Sequence, residues 1–183
     1  MLFNKTPIEG LFVCEPKVHG DSRGYFFESY HQRDFKLATG IDINFIQDNQ
    51  SFSKYGTLRG LHLQKGEHAQ AKFVRVLRGN VLDVAVDLRP ESKTFGKHFS
   101  IELSSDNRLS FFIPRDFAHG FIVLSEYAEF LYKCDNFYCK ESEDGIVYND
   151  PDLNIDWIIP ANNIIVSEKD ALLKSFKQYS NTN

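Results

Sequence analysis

Short apolar runs punctuated by Gly, Pro, Asn, Asp and Ser recur along the chain at residues 10–13, 24–30, 44–46, 73–77, 81–88, 99–103, 109–113, 121–124, 130–132 and 156–159. Runs this brief, rich in Phe, Val and Ile, predict strands, and their number predicts an all-β sandwich or barrel. Arg78-Gly79-Asn80 lies between two β-branched runs and reads as a short hairpin loop, because Gly and Asn tolerate positive φ. Only two stretches have helical character. One covers residues 32–38; the other begins at Ser167, a fitting N-cap, with Glu168 and Asp170 in its first turn. Without an internal repeat or low-complexity linker, residues 1–183 are expected to form one domain, with a frayed polar tail over residues 180–183.

Composition strengthens the β reading. Of the 183 residues 14% are aromatic, with 17 Phe against one Met, so flat, rigid side chains dominate the expected core. A chain this long buries roughly 70% of its unfolded surface and needs no disulfide staple. Its formal charge of −4 and the lack of any dense Lys/Arg run argue against nucleic acid as a partner. Cys14, Cys134 and Cys139 form neither a C-x-x-C pair nor an even framework, which fits a reducing cytoplasm. Neither a secretory leader nor an 18-residue apolar stretch is present, so no membrane association is expected.

The densest candidate chemistry is Leu58-Arg59-Gly60-Leu61-His62-Leu63-Gln64, followed by Gln70-Ala71-Lys72. Polar groups inside strand-like sequence must be buried and paired or must line a pocket. Strict alternation puts His62 and Gln64 on one face with Leu58 and Gly60, and Arg59 on the other with Leu61 and Leu63. Arg59 and His62 therefore share a cavity only across a bulge or strong twist. A second cluster runs from Phe112 to Phe121 and contains His119 among aromatic and small residues; a buried imidazole there needs a partner, for which Asp83 is the first candidate. A metal site is not expected: the H-x-H pair of metal-binding barrels is missing, since Gln64 stands two after His62 and His68 falls in a polar loop. Gly20-Asp21-Ser22-Arg23-Gly24 taken alone reads as a solvated turn, and Glu28, Tyr132, Tyr138 and Glu143 as surface or half-buried strand residues. The motifs G-x-S-x-G, G-x-G-x-x-G and the P-loop are absent.

Taken together, Gln47-Asp48-Asn49-Gln50-Ser51, Leu58-Arg59-Gly60-Leu61-His62, Gln70-Ala71-Lys72, Asp83 to Arg89, Phe117-Ala118-His119-Gly120-Phe121 and Tyr132-Lys133 resemble the dTDP-4-dehydrorhamnose 3,5-epimerase family. The likeness continues through Ser92-x-Thr94-Phe95-Gly96, Asn149-Asp150-Pro151-x-Leu153-x-Ile155-x-Trp157 and Ser167-x-Lys169-Asp170, nearly end to end. It implies a cupin-type jelly-roll barrel, a homodimer, and a site without metal or cofactor acting on dTDP-4-dehydro-6-deoxy-D-glucose. On matching positions His62 would be the base, Asp170 its orienting partner, Lys72 the enolate stabiliser and Tyr132 the acid on the opposite face. Arg23, Arg59 and His119 would bind substrate, the arginines suiting its diphosphate. Tyr138 would stack on the base, while Glu28, Gln47, Asn49, Glu143 and Lys169 would fill the remaining binding positions. Leu63 and Arg115-Asp116 depart from the family pattern without touching a proposed catalytic group. Two rivals remain: a mono-epimerase acting at C3 or C5 alone, and a non-catalytic sugar-nucleotide-binding jelly-roll.

Overall fold

The computed structural model describes residues 1–182; Asn183, the last residue of the expected frayed tail, lies outside them. The described strands are β1 (Leu2–Lys5), β2 (Phe12–Glu15), β3 (His19–Asp21), β4 (Gly24–Phe26), β5 (Gln47–Lys54), β6 (Leu58–Gln64), β7 (Lys72–Arg78), β8 (Asn80–Asp87), β9 (His98–Ser104), β10 (Ser110–Ile113), β11 (Phe117–Val123), β12 (Tyr127–Cys134) and β13 (Glu143–Gly145). Three short helices join them: α1 (Gln32–Thr39), α2 (Glu168–Ala171) and α3 (Phe176–Ser180). Both helices expected from sequence are present. Ser167 caps α2 by accepting the Asp170 N–H, as its position implied. At the tail, Ser180 closes α3 and the Thr182 hydroxyl donates to the Gln178 and Tyr179 carbonyls.

The all-β expectation with a few short helices holds, but the cupin-type jelly-roll barrel does not. One sheet has six strands in the order β1-β2-β10-β7-β12-β5, another has five in the order β13-β6-β11-β8-β9, and β3-β4 form a separate ribbon. Among the described residues no strand pair joins the two larger sheets, so each keeps the free edges that a closed barrel abolishes. The turn at Gly79 shows how this arises. It is not a hairpin: β7 pairs with β10 and β12, β8 pairs with β11 and β9, and the turn carries the chain from one sheet to the other. Gly79 has φ 81°, and a Cβ there would collide with the Tyr127 carbonyl, so so abrupt a crossing requires glycine.

Period-two alternation builds three apolar layers. Val74, Val76, Val81, Ala85, Phe111, Phe121 and Phe130 fill the space between the sheets. Leu58, Leu61, Leu63, Val84 and Val86 point outward from the five-stranded sheet against Ile146, Leu153, Trp157 and Tyr179 of the C-terminal segment. Covered on both sides, β8 and β11 are buried almost throughout, which explains their continuous apolar runs. On the far side α1 lays Phe35, fully buried, onto Phe73 and Phe112 of the six-stranded sheet. Removing that ring would cost about 3–5 kcal/mol. The apolar run at residues 156–159 is not a strand; Trp157 serves in the outer layer and donates its indole N–H to the Tyr148 carbonyl at 2.9 Å. No helix among the described residues is long and apolar enough to cross a membrane.

Candidate active site

At one end of the inter-sheet space the apolar filling gives way to polar side chains. On the six-stranded sheet, pairing aligns Asn49 with Tyr132 and Val74, and Gln47 with Cys134 and Lys72, so these side chains share the inner face. The strand that supplies Gln47 and Asn49 was expected only as residues 44–46; β5 begins where that run ends. Its inward positions are polar, and an apolar-run criterion passes over a strand whose buried face serves a cavity.

The opposite wall comes from β6 and β11. His119 pairs with His62 and Phe121 with Arg59, so two steps along β11 match three along β6. This extra residue is the bulge that strict alternation required. It leaves Leu58, Leu61 and Leu63 in the outer layer and places Arg59 and His62 together on the inner face. Gly60 makes it possible: its φ is 132°, and a Cβ there would strike Gly120 on β11.

The resulting cavity, about 630 Å³, is lined by Asn49, Arg59, His62, Lys72, His119, Tyr132, Lys169 and Asp170. An adjoining recess of about 170 Å³ shares Asn49, His62, Lys72 and Tyr132 and adds Gln47, Tyr138 and Glu143. Of the candidate site residues only Arg23 and Glu28 lie elsewhere. Arg23 sits on the β3-β4 ribbon with its side chain 88% exposed, held by Asp21. Just beyond that ribbon, Phe27 lies under the guanidinium of Arg75, whose neighbours Val74 and Val76 face the inter-sheet core. Alternation therefore puts this part of the chain on the outer face of the six-stranded sheet, away from its own cavity. Glu28 lines a separate recess with His31 and Asp34.

The polar groups are fixed by their neighbours. Asp170 reaches in from α2, accepts His62 Nε2–H at 2.8 Å on one oxygen and the Gly60 N–H at 3.2 Å on the other. A carboxylate only accepts, so the His62 proton sits on Nε2 and the lone pair on Nδ1. Burial pushes the Asp170 carboxyl up, but the hydrogen bond and charge of His62, with the Gly60 and Ser167 bonds, hold it below the usual carboxylate range. Asp83 is the partner of His119, both its oxygens lying 3.0 Å from Nε2. Burial pulls the His119 imidazole down despite that carboxylate. Lys72 is pulled down by burial against the attraction of Cys134, Asp83 and Glu143, and the Tyr132 phenol is pushed up by burial, so it keeps its proton. Tyr138 donates to Glu143 at 3.0 Å, and Lys169 donates to the same carboxylate oxygen.

One contact was missed in the sequence. Arg59 Nε donates at 3.0 Å to the hydroxyl of Ser53, which is 5% exposed. Gln47, Asn49, Ser51 and Ser53 are polar at every second position, and that period was the signal for a strand with a polar inner face. No group of three or more His, Cys, Asp or Glu side chains gathers among the described residues where a metal could be held.

The cavity thus offers an imidazole with a set tautomer on one sheet, and a phenol and a half-buried lysine on the other. Such an arrangement can take a proton from one side of a bound molecule and return one from the other. The profile of the dTDP-4-dehydrorhamnose 3,5-epimerase family matches residues 5–178. A dTDP-4-dehydrorhamnose 3,5-epimerase of Pseudomonas aeruginosa is 51% identical over 96% of each chain. The crystal structure of the enzyme of that name from Elizabethkingia anophelis superposes with a TM-score of 0.95 at 57% identity, covering 97% of both chains. A dTDP-6-deoxy-D-glucose-3,5-epimerase of Legionella pneumophila, crystallised with dTDP-4-keto-L-rhamnose, gives 0.92 at 46% identity over 96% of this chain and 93% of its own. With a match of that extent in sequence and in fold, the chain belongs to the dTDP-4-dehydrorhamnose 3,5-epimerase family.

Proposed function

We infer that the protein is an isomerase that inverts C3 and C5 of dTDP-4-dehydro-6-deoxy-D-glucose to give dTDP-4-dehydro-L-rhamnose. The observation that carries the reading is the His62–Asp170 pair on one wall of a cavity whose other wall presents Tyr132. The 4-keto group acidifies the hydrogens on its neighbouring carbons. His62 Nδ1 removes one; the electron pair of the C–H bond moves into an enolate, and Asp170 stabilises the imidazolium. Lys72 bears on the developing C4 oxyanion, where a preorganised donor is worth most. Tyr132 then gives its proton to the opposite face of the carbon, and solvent restores the phenol and takes the imidazolium proton. Arg59 and Lys169 hold the diphosphate; His119, Gln47, Asn49, Tyr138 and Glu143 shape the sugar and nucleoside subsites.

Arg23 and Glu28 enter the same reading through a second copy of the chain. The ribbon that carries Arg23 also exposes Tyr25 at 60% and Phe26 at 67%, a pairing of aromatic surface with a guanidinium that suits contact with another molecule. A homodimer in which each copy lends its ribbon to the other's cavity accounts for both. A monomer mass by light scattering at assay concentration would exclude it. Three cysteines without a disulfide, two of them buried, support a cytoplasmic site of action.

The test is incubation with dTDP-4-dehydro-6-deoxy-D-glucose in D₂O, with deuterium followed at C3 and C5 by NMR. Incorporation at both carbons, lost in His62→Ala, is expected, with inversion blocked in Tyr132→Phe. Incorporation at one carbon only would make the protein a mono-epimerase, and none at either would end the catalytic reading for this substrate.

A further inference from the structure

Gln64 ends β6 two residues after His62, lines the recess beside the main cavity, and has no part in the chemistry described above. It is 5% exposed, and its amide is wholly engaged by backbone. Oε1 accepts the Cys139 N–H at 2.7 Å; Nε2 donates to the Phe137 carbonyl at 3.1 Å and to the His68 carbonyl at 2.7 Å. Two of these bonds therefore grip the residues immediately before and after Tyr138. The gripped segment is the loop from β12 to β13, and β13 returns beside β6 with Glu143 opposite Gln64. Tyr138 itself is 56% exposed, so packing does little to fix it; beyond its bond to Glu143, its place over the recess is set by the backbone on either side.

We propose that Gln64 is a positioning residue which holds Tyr138 in place to stack on the nucleotide base by bonding the peptide groups that flank it. The inference rests on the epimerase reading, in which Tyr138 lines the substrate site. A side chain with both a donor and an acceptor is required, because one neighbour of Tyr138 presents a carbonyl and the other an N–H. Glutamate retains the acceptor and loses the donors; alanine loses both. Loss of an aromatic ring stacked on a base costs roughly 5- to 150-fold in affinity.

The experiment is a double-mutant cycle on competitive inhibition by dTDP, with Gln64→Ala, Tyr138→Ala and the pair, and with the KM and kcat of deuterium exchange measured alongside. Gln64→Ala is expected to raise KM and the inhibition constant for dTDP about five- to twentyfold while kcat moves less than about twofold. In the Tyr138→Ala background the same change is expected to have almost no further effect, because residues acting as a unit are not additive. Full additivity would overturn the proposal, as would an unchanged inhibition constant for dTDP or a parallel fall in kcat of about tenfold or more, which marks general loss of structure. Should Gln64→Ala fail to fold, Gln64→Glu carries the same cycle, and wild-type dTDP inhibition in Gln64→Glu would equally overturn it. Failure of the epimerase reading itself is distinguishable, since the unmodified protein would then exchange no deuterium.

Discussion

Asp170→Asn separates the tautomer argument from mere proximity. The carboxylate uses one oxygen for His62 Nε2, at 2.8 Å, and the other for the Gly60 N–H, at 3.2 Å. Asparagine has one acceptor and one donor for these two donors. If its oxygen stays with Gly60, its NH₂ faces His62, the ring must accept at Nε2, and the proton moves to Nδ1, where the base needs its lone pair. If it flips, NH₂ and N–H confront each other in a buried place. The minimum loss is one charge-assisted hydrogen bond, about 1.5–3 kcal/mol, or roughly 10- to 150-fold in rate. A wrong tautomer raises this towards the ~10⁴-fold seen when a triad histidine is misdirected in the same way, about 5.5 kcal/mol. Initial rates of deuterium incorporation at C3 and C5 should therefore fall together by about 10²- to 10⁴-fold. Stability gives an independent check. The Asp170 carboxyl lies below its ordinary value in the folded protein, so its contribution is present above the unfolded carboxylate value, near pH ~4, and is lost as pH falls through the lower folded one. The urea midpoint of Asp170→Asn should thus trail the unmodified protein at neutral pH and converge with it in acid. A rate loss under about tenfold in a folded variant would refute the tautomer argument.

Two further predictions follow from the buried polar groups. Lys72 is a cation whose burial lowers its pKa, so the folded state favours the neutral amine and is penalised fully below the folded value, less as pH rises through it. Lys72→Met should lower kcat by about 10²-fold or more yet raise the unfolding midpoint at pH 7 by roughly 2–4 °C, a gap that closes in alkali; a lowered midpoint would contradict the burial argument. Ser53→Ala frees the Arg59 guanidinium from its 3.0 Å bond and should raise KM roughly fivefold, about 1 kcal/mol, at constant kcat, with Ser53→Thr restoring it; an unchanged KM would show that Arg59 holds its pose without the hydroxyl.

What the sequence disclosed depended on which face of each strand carried the apolar residues. Strands β7 to β12 announced themselves because their inner faces, or both faces, meet an apolar layer. β5 did not, because Gln47, Asn49 and Ser51 look into a polar cavity while Phe52 looks out, 56% exposed. At residues 156–159 the error ran the other way, since an apolar stretch can cover a sheet without joining it. The barrel was implied by resemblance, and period-two patterning cannot distinguish a closed sheet from two facing ones, because alternation is the same in both. Most of the candidate residues matched as motifs meet at one cavity, whereas Arg23 and Glu28 lie away from the cavity of their own copy. Adjacency of that kind depends on which face of a sheet a connecting segment crosses, and local sequence does not encode it.

The bulge at Gly60 makes the strand a counter of odd and even. Side chains on a pleated strand alternate, so one extra residue exchanges inside for outside for everything on one side of it. Losing the bulge while keeping every residue would not merely shift the site by a few ångströms. It would turn Arg59 out into the layer of Leu61 and Leu63, or turn His62 out instead, and either way part the two side chains. Tolerance to change in this segment is therefore stepwise. Side-chain substitutions away from Gly60 adjust the site by degrees, whereas loss of the bulge alone divides it, and deleting the extra residue together with the bulge leaves Arg59 and His62 two apart and on one face.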